Sequence, residues 1–216
     1  MDDLDTWLER VYAADGDADT LNRLYDEWAR DYDQQLWASG NPYLAILAGF
    51  SGRHIADFNA SILDAGCGTG NMALLLAQMG YRNIDGLDPS PGMLELARTK
   101  RVYRSLHEGY LGATVDLPAN HYDAVVAAGV LTHGHAPAES LDGILSITRP
   151  GGVILFSLSQ PAYLEHGFKE RIDALEAAGA WHSIDQSELF RTYPFSDQAA
   201  SLRHWVLCYR KAVDDS

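Results

Sequence analysis

The apolar pair Ile62-Leu63 runs into Asp64-Ala65-Gly66-Cys67-Gly68-Thr69-Gly70, and a second apolar stretch ends downstream at Asp88. This order constrains the fold more than anything else in the chain. A strand, a glycine turn, a helix and another strand form a β-α-β unit, in which the two strands lie parallel in one sheet. Glycines let the backbone turn tightly and approach a ligand. The helix that starts near Gly70 offers amides with no partner inside the helix. Asp88 stands where a carboxylate accepts hydrogen bonds from two ribose hydroxyls. The unit reads as a nucleotide site.

Spacing narrows the choice of nucleotide. The dinucleotide fingerprint is G-x-G-x-x-G, with a third glycine that lets the helix pack on the strand. Here the pattern is Gly66-x-Gly68-x-Gly70, and Asn71 holds the third glycine's place. Asp64 would repel a pyrophosphate but suits a ligand with positive charge, such as the ammonium and sulfonium of S-adenosylmethionine. No G-x-x-x-x-G-K-[ST] is present, which excludes a P-loop.

Strands and helices alternate through the rest of the chain. Helices are expected at 4–14, 20–37, 43–57, 70–80, 91–99, 137–148 and 165–178. Strands are expected at 61–65, 83–87, 108–111, 122–128 and 152–158, followed by two longer ones near 181–193 and 202–212 joined by a turn at Pro194-Phe195-Ser196-Asp197. Such alternation requires an α/β, doubly wound, Rossmann-like, mostly parallel sheet with helices on both faces. Ligands bind outside the carboxyl ends of its strands, where strand order reverses. Asp64, Asp88, Leu111 and Ala128 all fall at such ends.

Four segments in order now carry a resemblance. The D-x-G-x-G-x-G form of Asp64–Gly70 resembles motif I of the class I S-adenosylmethionine-dependent methyltransferases. Gly86-Leu87-Asp88-Pro89-Ser90-Pro91-Gly92-Met93-Leu94 resembles that family's second strand and ribose clamp. Asp116-Leu117-Pro118 with His121–Val126 resembles the entry to its fourth strand, and Arg149-Pro150-Gly151-Gly152 the turn before its fifth. A narrower resemblance, to the methyltransferase-like protein 27 group, rests on Tyr25–Asp33 and on Gly129–His135. The family implies a seven-stranded sheet closed by a C-terminal antiparallel hairpin. It also implies one domain over 1–216, with a helical cap (1–57), a cofactor core (58–160), and a C-terminal helix and strands (161–216).

The resemblance assigns roles residue by residue. Asp88 clamps the ribose, with Pro89 and Ser90 beside it. Asp64 acts on the methionine ammonium, directly or through water; both aspartates could instead cap their loops. Gly66, Cys67 and Gly68 offer backbone, the Cys67 amide included, and Ala128 and Gly129 close the end of strand 4. Met93 packs on the adenine or in the core. Ala113 stands where many members carry an aspartate for the adenine amino group, so adenine recognition falls to the backbone of Ala113, Thr114 and Val115, or to Asp116 if the register slips. Tyr25, Trp28 and Tyr32 recur at helical spacing, which fits a core stripe or one facing the cofactor.

His133 and His135 follow strand 4, beside the expected transfer site. Either could be a general base or a packed loop histidine, and the H-x-H pair lacks a visible third ligand for a metal. Tyr163, His166, Phe168, Trp181, Phe190 and Tyr193 are expected to shape a pocket for a small-molecule acceptor methylated on O or N, or to lie in the core; a protein acceptor and a non-catalytic cofactor-binding module stay open as alternatives. Lys and Arg total 16 against 30 Asp and Glu, a net charge of −14 that disfavours a nucleic-acid partner. Cys67 and Cys208 form no disulfide or metal spacing, and the acidic start lacks a signal peptide's apolar core. No apolar stretch reaches the length of a membrane span. A cytoplasmic protein is the expectation; oligomeric state stays open.

Overall fold

The computed structural model describes residues 4–14, 16–132, 134–196 and 201–213. Helices α1 (Leu4–Ala13), α2 (Ala18–Ala38) and α3 (Tyr43–His54) precede β1 (Ser61–Ala65). Then come α4 (Asn71–Met79), β2 (Asn83–Asp88), α5 (Pro91–Thr99), β3 (Ser105–Glu108), β4 (Tyr122–Leu131), α6 (Ser140–Ile147) and β5 (Thr148–Ser159). The chain finishes with α7 (Gln160–Glu165), α8 (Phe168–Ala177), β6 (Trp181–Gln186), β7 (Phe190–Arg191) and β8 (Arg203–Lys211).

One sheet holds every strand, in the order β3-β2-β1-β4-β5-β8-β6, with β7 also on β8. Strands β1 to β5 pair in parallel, and β8 runs antiparallel to β5, β6 and β7. Because β6 and β7 share one flank of β8, the sheet has the expected seven strand positions and C-terminal antiparallel pairing. Strand order reverses between β1 and β4, so the crevice for a ligand lies at their carboxyl ends.

The alternation of each strand explains the two apolar layers. Ile62, Ala124, Val126, Val153, Leu155, Val206 and Cys208 pack on one face, under α1 to α4. Leu63, Val125, Ala127, Ile154, Phe156, Leu207 and Tyr209 pack on the other, with α6 and α8. Among the described residues no helix is long and apolar enough to cross a membrane.

Several expected boundaries are corrected. β3 lies at 105–108 rather than 108–111, because Ser105–Glu108 is an exposed edge strand with little apolar alternation to announce it. β4 continues to Leu131, and β5 begins at Thr148. The long strand expected over 181–193 is two short pieces, interrupted after a register shift between Ser183 and Asp185. The short helix α7 was not expected; the Ser159 side chain caps it by accepting from the Ala162 amide, with proline in its first turn. Asp197, in the expected 194–197 turn, lies outside the described residues.

Candidate active site

The glycine loop is built by β1 and anchored on β2. The amides of Gly66 and Cys67 both donate to Leu87 O, at 2.7 and 2.9 Å. Thus the Cys67 amide, expected to face the cofactor, is held within the protein. Gly66 sits at φ +69°, and a Cβ there would lie 2.2 Å from Val130 Cγ2, so only glycine fits. On the opposite wall β4 loses register with β5 between Ala127 and Leu131. Gly129, at φ +74° within that irregularity, donates its amide to the buried Ser157 Oγ at 2.8 Å. The departure swings Ala128, Gly129 and Val130 into the crevice.

A cavity of about 250 Å³ fills the space between α2 and the ends of β1, β2 and β4. Of the expected site residues, Tyr25, Tyr32, Gly66, Gly68, Asp88, Pro89, Ser90, Met93, Ala128, Gly129 and His135 all line it. Asp88 accepts from the Gly68 amide at 2.8 Å and the Ser90 amide at 2.9 Å, so its carboxylate bridges the two loops. Burial nevertheless raises its pKa to about 6, with those amides opposing the shift. Ser90 caps α5 by accepting from the Met93 amide at 3.1 Å, and this fixes Met93 beneath the cavity.

Asp64 lies behind the glycine loop, fully buried, in a small void of about 30 Å³ that shares Tyr32, Gly66, Gly68 and Ala128 with the main cavity. The Tyr103 hydroxyl donates to its Oδ2 at 2.7 Å, while among the described residues no donor meets Oδ1 in full hydrogen-bond geometry. Burial raises its pKa to about 7, opposed by the Tyr103 hydrogen bond. With the Tyr103 hydroxyl and the Ala73 amide as its near donors, this buried carboxyl can still accept from a cationic group.

Ala113, Thr114 and Val115 do not line the cavity; the chain meets it earlier, at Gly109, Tyr110 and Leu111. With β3 ending at Glu108, the 112–115 segment turns away and packs on α6, where Gly112 O and the Val115 side chain crowd Gly143. Thr114 and Asp116 face a separate depression. Trp28 is buried behind the two tyrosines, stacked on Trp7 at 5.6 Å, and donates from Nε1 to Gln35 Oε1 at 2.7 Å.

His135 hydrogen-bonds the Tyr25 hydroxyl through Nε2 at 2.5 Å; His133 lies outside the described residues. Beyond this pair is a smaller void of about 30 Å³, walled by Tyr12, Tyr25, Tyr32, Tyr43, Thr132, His135, Tyr193 and His204 among others. Burial lifts the phenol pKa values of Tyr25, Tyr32, Tyr43 and Tyr193 well above their ordinary range, so these groups stay protonated. Burial also drops His204 to about 3, leaving a neutral imidazole bonded through Nδ1 to Thr192 Oγ1 at 2.6 Å. Of the expected acceptor residues, Tyr193 joins this void, whereas His166 and Phe168 border an open groove next to His135. Trp181 stacks on Tyr209 at 4.2 Å in the core, Tyr163 packs on Trp205, and Phe190 packs against the cap-side core.

The fold, the glycine loop and the acidic strand end together define a class I S-adenosylmethionine-dependent methyltransferase, and the chain belongs to that family. A family model described as a methyltransferase domain matches residues 63–156. More particularly, the chain is 34% identical over 183 residues to human Methyltransferase-like protein 27, covering 81% of this chain and 74% of that one. It is 33% identical over 126 residues to the Malonyl-[acyl-carrier protein] O-methyltransferase of Serratia marcescens, covering 57% of this chain but 44% of that protein. The fold matches magnesium protoporphyrin IX methyltransferase from Synechocystis PCC 6803, crystallised with bound S-adenosylmethionine, at TM-score 0.59 and 18% identity, over 78% of this chain and 79% of that one.

The cofactor is therefore S-adenosylmethionine, and the residues present fit it. Asp88 offers carboxylate oxygens for a ribose, Leu87, Met93 and Leu111 offer apolar walls for a purine, and Asp64 Oδ1 is a buried acceptor that no donor among the described residues meets in full hydrogen-bond geometry.

Proposed function

We propose that the enzyme methylates an oxygen or nitrogen atom of a small-molecule acceptor, seated between α2 and the carboxyl end of β4 beside Tyr25 and His135. The observation that carries this reading is the lining: cap helix α2 and His135–Pro137 border a cavity with phenol and imidazole groups, and no lysine or arginine stands among its described lining residues. Such a lining suits a compact, partly apolar acceptor. The net charge of −14 speaks against a nucleic acid. A cytoplasmic setting belongs to the same reading, supported by two buried free cysteines.

Bound S-adenosylmethionine supplies an electrophilic methyl group on a sulfonium. The chain's own contribution is to hold and to exclude water. Asp88, Met93 and the glycine loop fix the nucleoside end, with Pro89, Ser90, Ala128 and Gly129 around it. Tyr25 and Tyr32 cover the opposite side, with Trp28 bracing them from behind. Ala113, Thr114 and Val115 take no direct part in this reading, since the 112–115 segment packs on α6. In this reading an acceptor proton passes to His135 Nε2 through the Tyr25 hydroxyl, which lines the cavity and is hydrogen-bonded to that nitrogen. His133 remains a second candidate for that task by its sequence position.

The test is transfer of labelled methyl from S-adenosylmethionine into a fractionated cell extract. Label in the small-molecule fraction, in an amount that follows enzyme concentration, is expected. Label only in the protein fraction would overturn the small-molecule reading.

A further inference from the structure

Two aspartates of α2 are bonded to both cofactor loops. Asp26 Oδ1 accepts from Ser90 Oγ at 2.6 Å and from the Gly92 amide at 2.8 Å. Asp33 Oδ1 accepts from Thr69 Oγ1 at 2.5 Å and from Asn71 Nδ2 at 2.8 Å. Asp33 Oδ2 pairs with Lys100 Nζ at 2.9 Å, and the same ammonium donates to Asn71 Oδ1 at 2.7 Å. Thr69 and Asn71 are buried, and Lys100 is largely so. All of these groups lie on the glycine loop, on the turn after β2, or, in the case of Lys100, at the end of α5.

Seven residues are nearly two helical turns, so Asp26 and Asp33 share one face of α2. Tyr25 and Tyr32 have the same spacing and line the cavity. One helix thus presents two parallel stripes: phenols into the cavity and carboxylates onto the loops that border it. We propose that Asp26 and Asp33 are positioning residues for S-adenosylmethionine. Asp26 holds the Asp88–Met93 turn, and Asp33, through Asn71 and Lys100, holds the glycine loop; together they fix the distance between the two. The same geometry accounts for Asn71 in the third glycine's place, since glycine has no side-chain amide to join Asp33 to Lys100. The inference rests on the cofactor lying against Gly66–Gly70 and Asp88.

The test combines calorimetric titration of the whole enzyme with S-adenosylmethionine and amide hydrogen exchange. Asp26→Ala, Asp33→Ala and Asn71→Ala should each weaken cofactor binding about tenfold, the scale of a lost charge-assisted hydrogen bond. The Asp33→Ala/Asn71→Ala double variant should be no weaker than either single one, because both break the same network. Asp33→Asn, which keeps one acceptor for Thr69, should fall between Asp33→Ala and the wild type. Glu27→Ala, which removes from α2 an exposed ion pair to Arg10 of α1, should bind normally. Without cofactor, exchange should quicken within 66–71 in Asp33→Ala and within 88–93 in Asp26→Ala. A dissociation constant within about twofold of wild type in the Asp variants, with only the melting temperature lowered, would make both aspartates mere packing contacts. If S-adenosylmethionine protected segments other than these loops in the wild type, the site assignment itself would fall, and the proposal with it.

Discussion

At the scale of single residues, the chemistry of the site turns on two carboxyl groups that burial keeps close to neutrality. Asp88→Ala is expected to weaken S-adenosylmethionine binding about tenfold or more, which titration calorimetry would read directly. The proton balance gives a second expectation. Asp88 and Asp64 have pKa values raised to about 6 and about 7 by burial. A carboxyl whose folded pKa lies above its unfolded one loses stability as pH rises, here between about 4 and 7. Ribose hydroxyls and an ammonium favour the ionised forms, so cofactor binding should tighten about tenfold from pH 5 to pH 7.5 through Asp88 alone, and further through Asp64, and release protons over that range. Calorimetry in buffers of different ionisation enthalpy measures that release; affinity independent of pH would refute the coupling. For the acceptor side, Tyr25→Phe and His135→Ala should lower turnover by about 10²-fold if His135 takes the proton. Single-turnover rates that match the wild type in both variants would remove that role.

At the scale of elements, the β1–α4 loop is the most demanding piece. Gly66→Ala places a Cβ 2.2 Å from Val130 Cγ2 at φ +69°, so it should lower the melting temperature and abolish measurable cofactor binding. The loop and Asp88 were legible in the sequence because their chemistry is local: a few contiguous residues specify the turn, and the strand ends follow from alternation. Asp26, Asp33 and Tyr103 were not, because their partners Ser90, Lys100 and Asp64 lie 64, 67 and 39 positions away, and no short motif links them. His204 was hidden for a related reason: in sequence it is one polar residue in an apolar strand, and only the register of β8 against β7 brings it to the void beside Tyr43. β3 was misplaced because Ser105-Leu106-His107-Glu108 has no apolar alternation, whereas Tyr110-Leu111 does look strand-like. α7 carried a usable signal, Ser159 before Pro161, of the kind that starts a helix.

At the scale of the whole molecule, the cavity is a junction of distant parts. Its walls come from the cap, from the turns after β1, β2 and β3, and from the irregular end of β4. Cofactor that bridges these parts must stabilise the entire fold. At one hundred times its dissociation constant the stabilisation is about 2.7 kcal/mol. For a chain of this size that amounts to a rise of about 5–10 °C in melting temperature, readable by thermal denaturation with and without S-adenosylmethionine.

β8 follows every other described strand in sequence, yet it lies inside the sheet, between β5 and the β6–β7 flank. While the polypeptide is still being synthesised, the ribosome therefore withholds the piece that joins these two sheet margins. Until β8 emerges, β5 exposes an unpaired edge rich in apolar residues, the kind of surface that recruits other nascent chains. The hazardous interval in making this enzyme should therefore last from the emergence of β5, through α7, α8, β6 and β7, until β8 can pair with it.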